Sequence, residues 1–463
     1  MPSHRPLPPP VKENPRALAL NALLETTGSP EAPDSLLEHH LSKSNLDARD
    51  KGLAVELTYG VLRRMATLDW RLAPLLDRPL ARLPILVQMI LRLGAYQLLF
   101  LDRIPPSAAV NESVNSAKQQ IHRLKRDWGG FVNAVLRRLV RDPTPEWPSI
   151  DLDPVKHLSV KHSMPDWLSR RWVDRYGTSV ADRLCAQASG TPPVTLRVHK
   201  LRSSREDLLS RLHQDGISAT PTAVSPYGIR VDGGGPVPSL SGFEEGAFYV
   251  EDEAAQLIPL LMNPSPGSVV LDACAAPGGK SIHLADLMQD RGMVYAVDRS
   301  DERLSLLREN CRRMGVTIVK PISGDVRSPA GLSTAARSFD SILVDAPCSG
   351  LGVLRRHPEA KWRKVEADLL RHHNVQLEIL GAVASRLRPG GVLVYSTCSG
   401  EPEETTSVVD DFLSAHAGFR RESAGTWLPA SAQPFLTEQG DLSTLDNEFS
   451  MDGFFAARLR KQE

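Results

Sequence analysis

The fold of this chain follows from one stretch of its sequence, VVLDACAAPGGKSIHLADLM at residues 269–288. The apolar run Val269–Asp272 is typical of a buried strand. A loop of small residues follows, and apolar residues with helical spacing begin after Lys280. Strand, small-residue loop and helix in this order predict a ligand site. Glycines let the backbone approach a ligand closely, and a helix N-terminus favours a carboxylate or a phosphate.

Acidic residues lie at the ends of this strand and of the later predicted strands. Asp272 closes the first strand, Asp298 the second and Asp345 a later one, and Asp325 follows the candidate strand between them. Asp298 lies about 20 residues past the glycines, the spacing at which a carboxylate meets a ribose hydroxyl pair. An open α/β sheet with four acids along its carboxyl edge is therefore predicted.

The glycine loop has three possible interpretations: a phosphate-binding P-loop, an NAD site or an S-adenosylmethionine site. Gly279-Lys280-Ser281 resembles the end of a P-loop, but Cys274 stands where the first glycine of that pattern belongs. Binding of NAD is disfavoured because G-x-G-x-x-G is absent. S-adenosylmethionine carries a ribose and a carboxylate but no phosphate. It suits one glycine pair, a helix N-terminus and several strand-end acids, and the sequence favours it.

Two cysteines follow apolar strands. Cys348 lies in Asp345–Gly350 and Cys398 in Tyr395–Ser399, each directly after a four-residue apolar run. A free cysteine is most often a small buried hydrophobic residue. However, the carboxyl ends of strands are where ligands bind in an open α/β sheet. We therefore expect both thiols on the same rim of the sheet, where they suit nucleophilic chemistry.

These motifs together resemble a known family. Asp272–Lys280, Asp345–Gly350 and Ser396–Ser399 resemble the three main motifs of the RNA (cytosine-5) methyltransferases, in particular the bacterial 16S ribosomal RNA enzymes of the RsmB/Sun (Fmu) type. Arg355–Glu359 and Asp452–Phe455 resemble the flanking segments of that family. The chain departs from the usual family pattern at two positions, with Ser281 in place of Thr and Thr405 in place of Asn.

The resemblance implies a covalent mechanism. Carbon-5 of cytosine is a poor nucleophile, and a thiolate adding to carbon-6 activates it. By resemblance, Cys398 is the nucleophile, Cys348 assists release, and Asp345 hydrogen-bonds the base and stabilises developing charge. The predicted S-adenosylmethionine site comprises Cys274, Ala275, Ala276, Pro277, Gly278, Gly279, Lys280, Asp298, Asp325 and Asp345. For Lys280, a solvated side chain is an open alternative.

The N-terminal part is predicted to be helical. Residues 1–13 lack an apolar core, so a disordered tail is expected there and not a signal peptide. Residues 14–142 are predicted to form a compact all-α bundle. Its helices are expected at residues 16–25, 50–64, 68–76, 84–100, 108–121 and 130–140.

Positive charge is concentrated in this bundle. The whole chain has 55 Lys and Arg and 55 Asp and Glu. Residues 51–141, however, carry fifteen Lys and Arg but only six Asp and Glu. Such a cluster is most often a solvated helix face, although it also suits an RNA backbone. The segment resembles the NusB-like RNA-binding domain of the same family. The basic residues that crowd one end are Arg123, Lys125, Arg126, Arg137, Arg138 and Arg141. If the bundle does not bind RNA, we expect it to dock a protein partner and the RNA to bind in the middle module or around Arg355, Arg356, Lys361 and Arg363.

Two further segments complete the predicted architecture. Residues 143–246 are expected to hold a linker and a small α/β module, with strands at 194–198 and 228–231 around a helix at 205–212. By resemblance this is a ferredoxin- or RRM-like element. Residues 247–463 are predicted to form a Rossmann-like S-adenosylmethionine methyltransferase domain.

Composition limits the cellular setting and the partners. No stretch reaches 18 apolar residues, so no transmembrane helix and no membrane partner are expected. Five cysteines are too few and too scattered for a disulfide framework, and no ligand spacing suggests a metal. A cytoplasmic monomer that acts on RNA is predicted, with ribosomal RNA favoured as substrate.

Other functions remain open at this stage. They are a transfer-RNA methyltransferase and a non-catalytic RNA-binding assembly factor that keeps a relic cofactor fold. The intact Cys348, Cys398 and Asp345 favour catalysis. A DNA cytosine methyltransferase is disfavoured, because there the Pro-Cys thiol is the nucleophile and a large target-recognition insert would follow it.

Overall fold

The computed structural model describes residues 14–28, 33–233, 235–332 and 336–463. The predicted tail at residues 1–13 lies outside the described residues. The chain divides into two compact units, Met1–Ser189 with His357–Arg363, and Gly190–Arg356 with Lys364–Glu463.

Helices and strands are numbered in chain order. The helices are α1 (Pro15–Gly28), α2 (Pro33–Ser42), α3 (Ala48–Leu72), α4 (Ile85–Phe100), α5 (Pro106–Gln119), α6 (Ile121–Leu124), α7 (Gly129–Arg141), α8 (Pro154–Lys161), α9 (Asp166–Ala188), α10 (Arg205–Gln214), α11 (Glu253–Met262), α12 (Gly279–Leu287), α13 (Asp301–Met314), α14 (Ala360–Arg363), α15 (Ala367–Ala384) and α16 (Thr406–Ala415). The strands are β1 (Val194–Val198), β2 (Ser218–Pro221), β3 (Gly228–Asp232), β4 (Phe248–Val250), β5 (Val269–Asp272), β6 (Met293–Asp298), β7 (Val319–Ser323), β8 (Phe339–Asp345), β9 (Leu387–Thr397), β10 (Phe419–Glu422), β11 (Leu442–Ser443) and β12 (Phe455–Lys461).

The first unit is helical, as predicted. Helices α1, α3, α4, α5 and α7 pack around a common apolar core. The prediction of two helices at residues 50–64 and 68–76 is wrong, because α3 runs without a break from Ala48 to Leu72. Asp47 begins α3 by accepting a hydrogen bond from the Asp50 amide at 2.8 Å. No proline or glycine interrupts residues 64–68, so nothing in that stretch ends the helix.

A short segment from far along the chain belongs to the same unit. In His357–Arg363, the Lys361 Nζ atom donates to the carbonyl of Arg63 at 3.0 Å, and the Trp362 indole donates to the carbonyl of Leu62 at 2.9 Å. Lys361 is fully buried. Burial, reinforced by the charge of Arg64, lowers the pKa of Lys361 to about 7. The prediction of Lys361 as part of an alternative RNA-binding site is therefore wrong.

A small antiparallel sheet opens the second unit. Its strand order is β2-β3-β1-β4, and every pair is antiparallel. This is the order of a ferredoxin-like sheet, in which α10 connects β1 to β2. Ser204 caps α10 by accepting from the Asp207 amide at 3.0 Å. The fourth strand, β4, lies beyond residue 246, where the sequence placed the end of this module.

The rest of the second unit is a Rossmann-like domain, as predicted. Its sheet has the order β10-β12-β9-β8-β5-β6-β7. The strands from β5 to β9 are parallel, and β12 is inserted antiparallel between β9 and β10. The parallel strands are buried between helices on both faces, which explains why the sequence reads there as continuous apolar runs. None of the helices in the described part of the chain combines the length and apolar content needed to cross a membrane.

Candidate active site

Four parallel strands end at one edge of the large sheet. β5 and β8 are neighbours in the sheet. After β5 the chain adds β6 on one side, and after β8 it adds β9 on the other side. Ligands of open α/β sheets bind at such a reversal of strand order, outside the carboxyl ends of the strands. The structure has a cavity of about 580 Å³ at this edge.

The volume of this cavity is in the range of small-molecule sites. Acidic, basic, apolar and thiol side chains share its wall. The residues that matter for the chemistry are Cys274, Ala276, Asp298, Arg299, Arg303, Asp325, Arg327, Asp345, Cys348, Val375, Ile379 and Cys398.

The two predicted cysteines meet in this cavity. The Sγ atoms of Cys348 and Cys398 are 3.1 Å apart and share a hydrogen bond, and both residues are half-buried free thiols. The backbone of Gly352 donates to the carbonyl of Cys398 at 3.0 Å and ties the two loops together. The pKa of the Cys348 thiol lies well above its usual value because it shares this hydrogen bond, because it is buried, and because negative charge lies nearby. The prediction that both thiols lie on one rim is confirmed.

A carboxylate and an ammonium group lie beside the thiols. Lys280 Nζ donates to Asp345 Oδ2 at 2.7 Å, and Ser396 Oγ donates to Asp345 Oδ1 at 2.7 Å. The ring of Phe454 lies 5.1 Å from the Lys280 ammonium. Burial alone would lower the pKa of Lys280, but the charge and hydrogen bond of Asp345, together with the charge of Glu251, offset it, and the net pKa is raised. Lys280 is therefore a charged partner of Asp345 and not a solvated side chain.

Asp298 supports the glycine loop from the next strand. Its Oδ2 accepts from the Ala276 amide at 3.1 Å, and its Oδ1 accepts from the Ser300 amide at 2.9 Å. Arg303 donates to the carbonyl of Ala276 at 2.5 Å and holds the same loop from the first turn of α13. These contacts hold the loop in place, with a carboxylate facing the cavity.

Three family models match this chain. Residues 259–460 match the family described as 16S rRNA methyltransferase RsmB/F. Residues 13–141 match the NusB family, and residues 164–238 match the ferredoxin-like domain of RsmF/B-like methyltransferases.

Full-length relatives agree with these matches. The probable ribosomal RNA small subunit methyltransferase B of Bacillus subtilis is 35% identical over 452 residues, which cover 97% of this chain and 99% of that protein. The chain belongs to the RsmB/F family of methyltransferases. The ribosomal RNA small subunit methyltransferase B of Pseudomonas putida is 36% identical, with 97% of this chain and 98% of that protein covered. The crystal structure of PH0851 superposes with a TM-score of 0.80 at 25% identity, covering 97% of this chain and all of that one.

The cofactor of this methyltransferase family is S-adenosylmethionine, and the cavity fits it. Each Asp298 oxygen accepts one backbone N–H, which leaves lone pairs for the ribose hydroxyls. Val375 and Ile379 give the wall an apolar part that suits an adenine ring. Among the described residues, no cluster of histidine, cysteine or acidic side chains could hold a metal ion.

Asp325 and Asp272, the two remaining strand-end acids, differ in environment. Asp325 lines the cavity but is paired with Arg327 at 2.8 Å and with Arg299 at 3.7 Å. The hydrogen bond from Arg327 holds the pKa of Asp325 at about 2. Asp272 is buried beneath the loop, accepts from Ser281 at 2.6 Å, and has a pKa raised to about 7 by burial. Asp325 is therefore charged at neutral pH, whereas Asp272 titrates there.

The flanking motifs build a buried ionic cluster. Arg355 binds Asp452 at 2.5 Å and Asp252 at 3.3 Å, and Arg356 binds the same two carboxylates at 2.5 and 2.8 Å. Burial, followed by the Asp452 charge, raises the pKa of Asp252 to about 6. These two arginines join the segment at Asp252 to the segment at Asp452. Because their charges are paired there, they do not form the alternative RNA-binding site. A Cβ on Gly352 would meet the backbone of the Asp452–Phe455 motif, so a glycine is required there.

The structure separates the predicted cofactor residues into two groups. Cys274, Ala276, Asp298, Asp325 and Asp345 line the cavity. The others form the loop behind it, where the positive φ of 108° at Gly278 turns the chain into α12. The loop residues outside the cavity lining are Ala275, Pro277, Gly278, Gly279 and Lys280.

Sequence reasoning missed three polar residues at this site: Ser396, Arg303 and Glu404. Ser396 lies inside the Ser396–Ser399 motif, but a serine before a candidate cysteine nucleophile gives no sign of its own that it binds Asp345. Arg303 lies in an ordinary helical pattern with no signal of its own. Glu404 is fully buried, a rare state for a glutamate, but the sequence shows only an acidic pair at the start of a helix.

Proposed function

We propose that this chain methylates carbon-5 of a cytosine in RNA through a covalent adduct with Cys398, and that its substrate is 16S ribosomal RNA. The pair of sulfur atoms 3.1 Å apart, beside the Asp345–Lys280 ion pair, supports this best. One thiol would suffice for a nucleophile alone. Two thiols in one cavity suit a reaction in which one adds and the other serves a later step.

The proposed reaction begins at carbon-6. S-adenosylmethionine supplies an electrophilic methyl group on a positively charged sulfur. The Cys398 thiolate forms a bond to carbon-6, and the ring electrons become available at carbon-5. Asp345 hydrogen-bonds the amino and ring-nitrogen edge of the base and stabilises the altered charge of the ring. Lys280 and Ser396 hold the two oxygens of that carboxylate in place.

Release completes the cycle. The methyl group passes to carbon-5 as its bond to the sulfonium sulfur breaks, and S-adenosylhomocysteine is the leaving group. A water molecule then accepts the carbon-5 proton, the C–H electron pair re-forms the double bond to carbon-6, and the Cys398 sulfur departs with its bonding pair. Cys348 assists this elimination by donating its proton to the departing sulfur, 3.1 Å away. The high pKa of Cys348 suits this role, because a protonated thiol does not compete as a second nucleophile.

The choice of RNA rests on the relatives and on charge. The relatives in Bacillus subtilis and Pseudomonas putida are named for the small ribosomal subunit, which favours 16S ribosomal RNA over transfer RNA. The exposed Arg123, Lys125 and Arg126 of the NusB-matching bundle suit phosphate contacts. Intact thiols and the acid favour an enzyme over a non-catalytic assembly factor.

Two cysteine variants test the proposal. With a 16S ribosomal RNA transcript and labelled S-adenosylmethionine, Cys398→Ala is expected to abolish turnover and to keep cofactor affinity. Cys348→Ala is expected to accumulate a protein–RNA adduct that survives denaturing electrophoresis, and the double variant to lose it. Bisulfite sequencing locates the methylated cytosine. Turnover of Cys398→Ala within tenfold of wild type, a loss of only about 1.4 kcal/mol, would contradict the proposal.

A further inference from the structure

One buried carboxylate connects the two cysteine loops. Glu404 Oε1 accepts from the backbone amide of Ser349 at 2.6 Å, and its Oε2 accepts from the Ser349 hydroxyl at 2.5 Å. The same Ser349 hydroxyl lies 3.5 Å from the hydroxyl of Ser399. Ser349 directly follows Cys348, and Ser399 directly follows Cys398. The Glu404 side chain therefore holds the residue after Cys348 directly and reaches the residue after Cys398 through it.

The position of Glu404 is itself fixed by the end of β9. Its backbone carbonyl accepts from the Tyr395 hydroxyl at 2.7 Å and from the Thr397 hydroxyl at 3.2 Å. Its amide donates to the carbonyl of Glu401 at 3.0 Å. The side chain is fully buried. With both its backbone and its carboxylate bound, Glu404 has little freedom to move away from the loops.

Burying this carboxylate has a cost that packing alone does not require. Burial raises the pKa of Glu404, and the hydrogen bonds from Ser349 oppose that change. A glutamine or an apolar residue would avoid the cost of burying a charge. The negative charge of Glu404 also acts on Cys348, since it is one of the causes of the raised pKa of that thiol, after the shared hydrogen bond and burial.

We infer that Glu404 is a positioning residue for both cysteines: its carboxylate sets the spacing between the two loops and places a negative charge beside the Cys348 loop. The inference rests on the proposed roles of the two thiols. It concerns a residue that touches neither the sulfur atoms nor the cavity wall and acts through Ser349 and Ser399.

The test uses the full-length protein and two readouts. The first is the rate at which iodoacetamide alkylates Cys348 and Cys398, followed by peptide mass spectrometry across a pH series without RNA or cofactor. The second is kcat and KM for a 16S ribosomal RNA transcript and S-adenosylmethionine. Glu404→Gln is the main variant. Glu422→Gln is the matched control, because Glu422 also binds several donors, Arg458 and Arg460, but lies on the edge strand β10.

Loss of the charge and loss of the spacing give different results. Glu404→Gln is expected to move alkylation of Cys348 to lower pH and to reduce kcat by about tenfold or more, the size expected for losing a charged hydrogen bond, with KM for S-adenosylmethionine unchanged. Glu404→Asp keeps the charge but shortens the reach, so it should lower kcat while leaving the pH of Cys348 alkylation near wild type. Glu422→Gln should change neither readout.

Several outcomes overturn the inference. One is a Glu404→Gln variant whose alkylation profile and kcat match those of Glu422→Gln. If Glu404→Gln fails to fold, Ser349→Ala and Ser399→Ala remove one hydroxyl each, and unchanged kcat in both overturns it equally. Failure of the proposed function is distinguishable, because the alkylation profile needs no RNA. Methylation that persists in Cys398→Ala would refute the thiol roles even if Glu404 still controlled the reactivity of Cys348.

Discussion

The proposed cofactor role of Asp298 leads to a quantitative prediction. Its two oxygens each accept one backbone amide, from Ala276 at 3.1 Å and from Ser300 at 2.9 Å, and the carboxylate faces the cavity. We propose that the remaining lone pairs accept hydrogen bonds from the two ribose hydroxyls of S-adenosylmethionine. Asp298→Ala removes both the ribose contacts and the support of the loop, whereas Asp298→Asn keeps one oxygen acceptor.

The magnitude follows from the charged hydrogen bonds. A hydrogen bond to a charged group contributes about 1.5–3 kcal/mol. At about 1.4 kcal/mol per factor of ten, losing the ribose contacts of Asp298→Ala should weaken binding roughly tenfold to a hundredfold. Asp298→Asn should fall between this variant and wild type.

Isothermal titration calorimetry with S-adenosylmethionine and no RNA measures this directly. Asp301→Asn is the matched control, because Asp301 is an exposed neighbour that pairs with Arg308 at 2.9 Å and lies outside the cavity lining. The Asp301→Asn variant should bind S-adenosylmethionine with the affinity of wild type. An Asp298→Ala variant that melts at the wild-type temperature and binds within threefold of wild type would refute the reasoning, and Asp325 would then be the next candidate for the ribose.

Three further predictions concern charge elsewhere in the chain. Replacing Arg123, Lys125 and Arg126 together with Ala should weaken RNA binding broadly across sequences and reduce its salt slope by about one unit per lost contact, measured by filter binding at several salt concentrations. If the triple variant has the RNA affinity and the salt slope of wild type, these side chains only form a solvent-exposed helix face. The folded state lowers the pKa of Lys361 to about 7, so the free energy of unfolding should rise as the pH increases from about 7 to about 10. Lys361→Met should flatten that rise in urea unfolding. The folded state raises the pKa of Asp272 to about 7, so stability should fall as the pH rises from about 4 to about 7, and Asp272→Asn should remove that fall.

The sequence predicted those parts of the site that depend on local pattern. The strand Val269–Asp272 has the predicted bounds, and the acids and thiols lie at strand ends because apolar runs bounded by turn residues mark those ends. That these strand ends lie on one rim of the sheet is a general property of parallel sheets and does not depend on any detail of this chain. For this reason Cys348 and Cys398 could be placed together without knowing how their loops pack.

Contacts between distant residues could not be predicted in this way. Glu404 binds Ser349 across 55 positions, and Lys361 binds the carbonyl of Arg63 across 298 positions. A basic residue in a polar stretch gives no local sign that it will be buried. The sequence around Arg355 and Arg356 likewise gives no sign of the carboxylates that pair with them, which come from Asp252 and Asp452.

The short distance between the sulfur atoms follows from the register of two neighbouring strands. Asp345 of β8 pairs with Ser396 of β9, and the Ser396 hydroxyl donates to the Asp345 carboxylate across that pair. Cys348 comes three residues after the first and Cys398 two residues after the second, so both thiols leave the sheet at nearly the same level. A slip of one residue would turn every side chain of β9 to the opposite face and would take Ser396 away from Asp345. The geometry of the thiols is therefore first a property of the β8–β9 pairing, and Glu404 acts on loops that the sheet has already brought together.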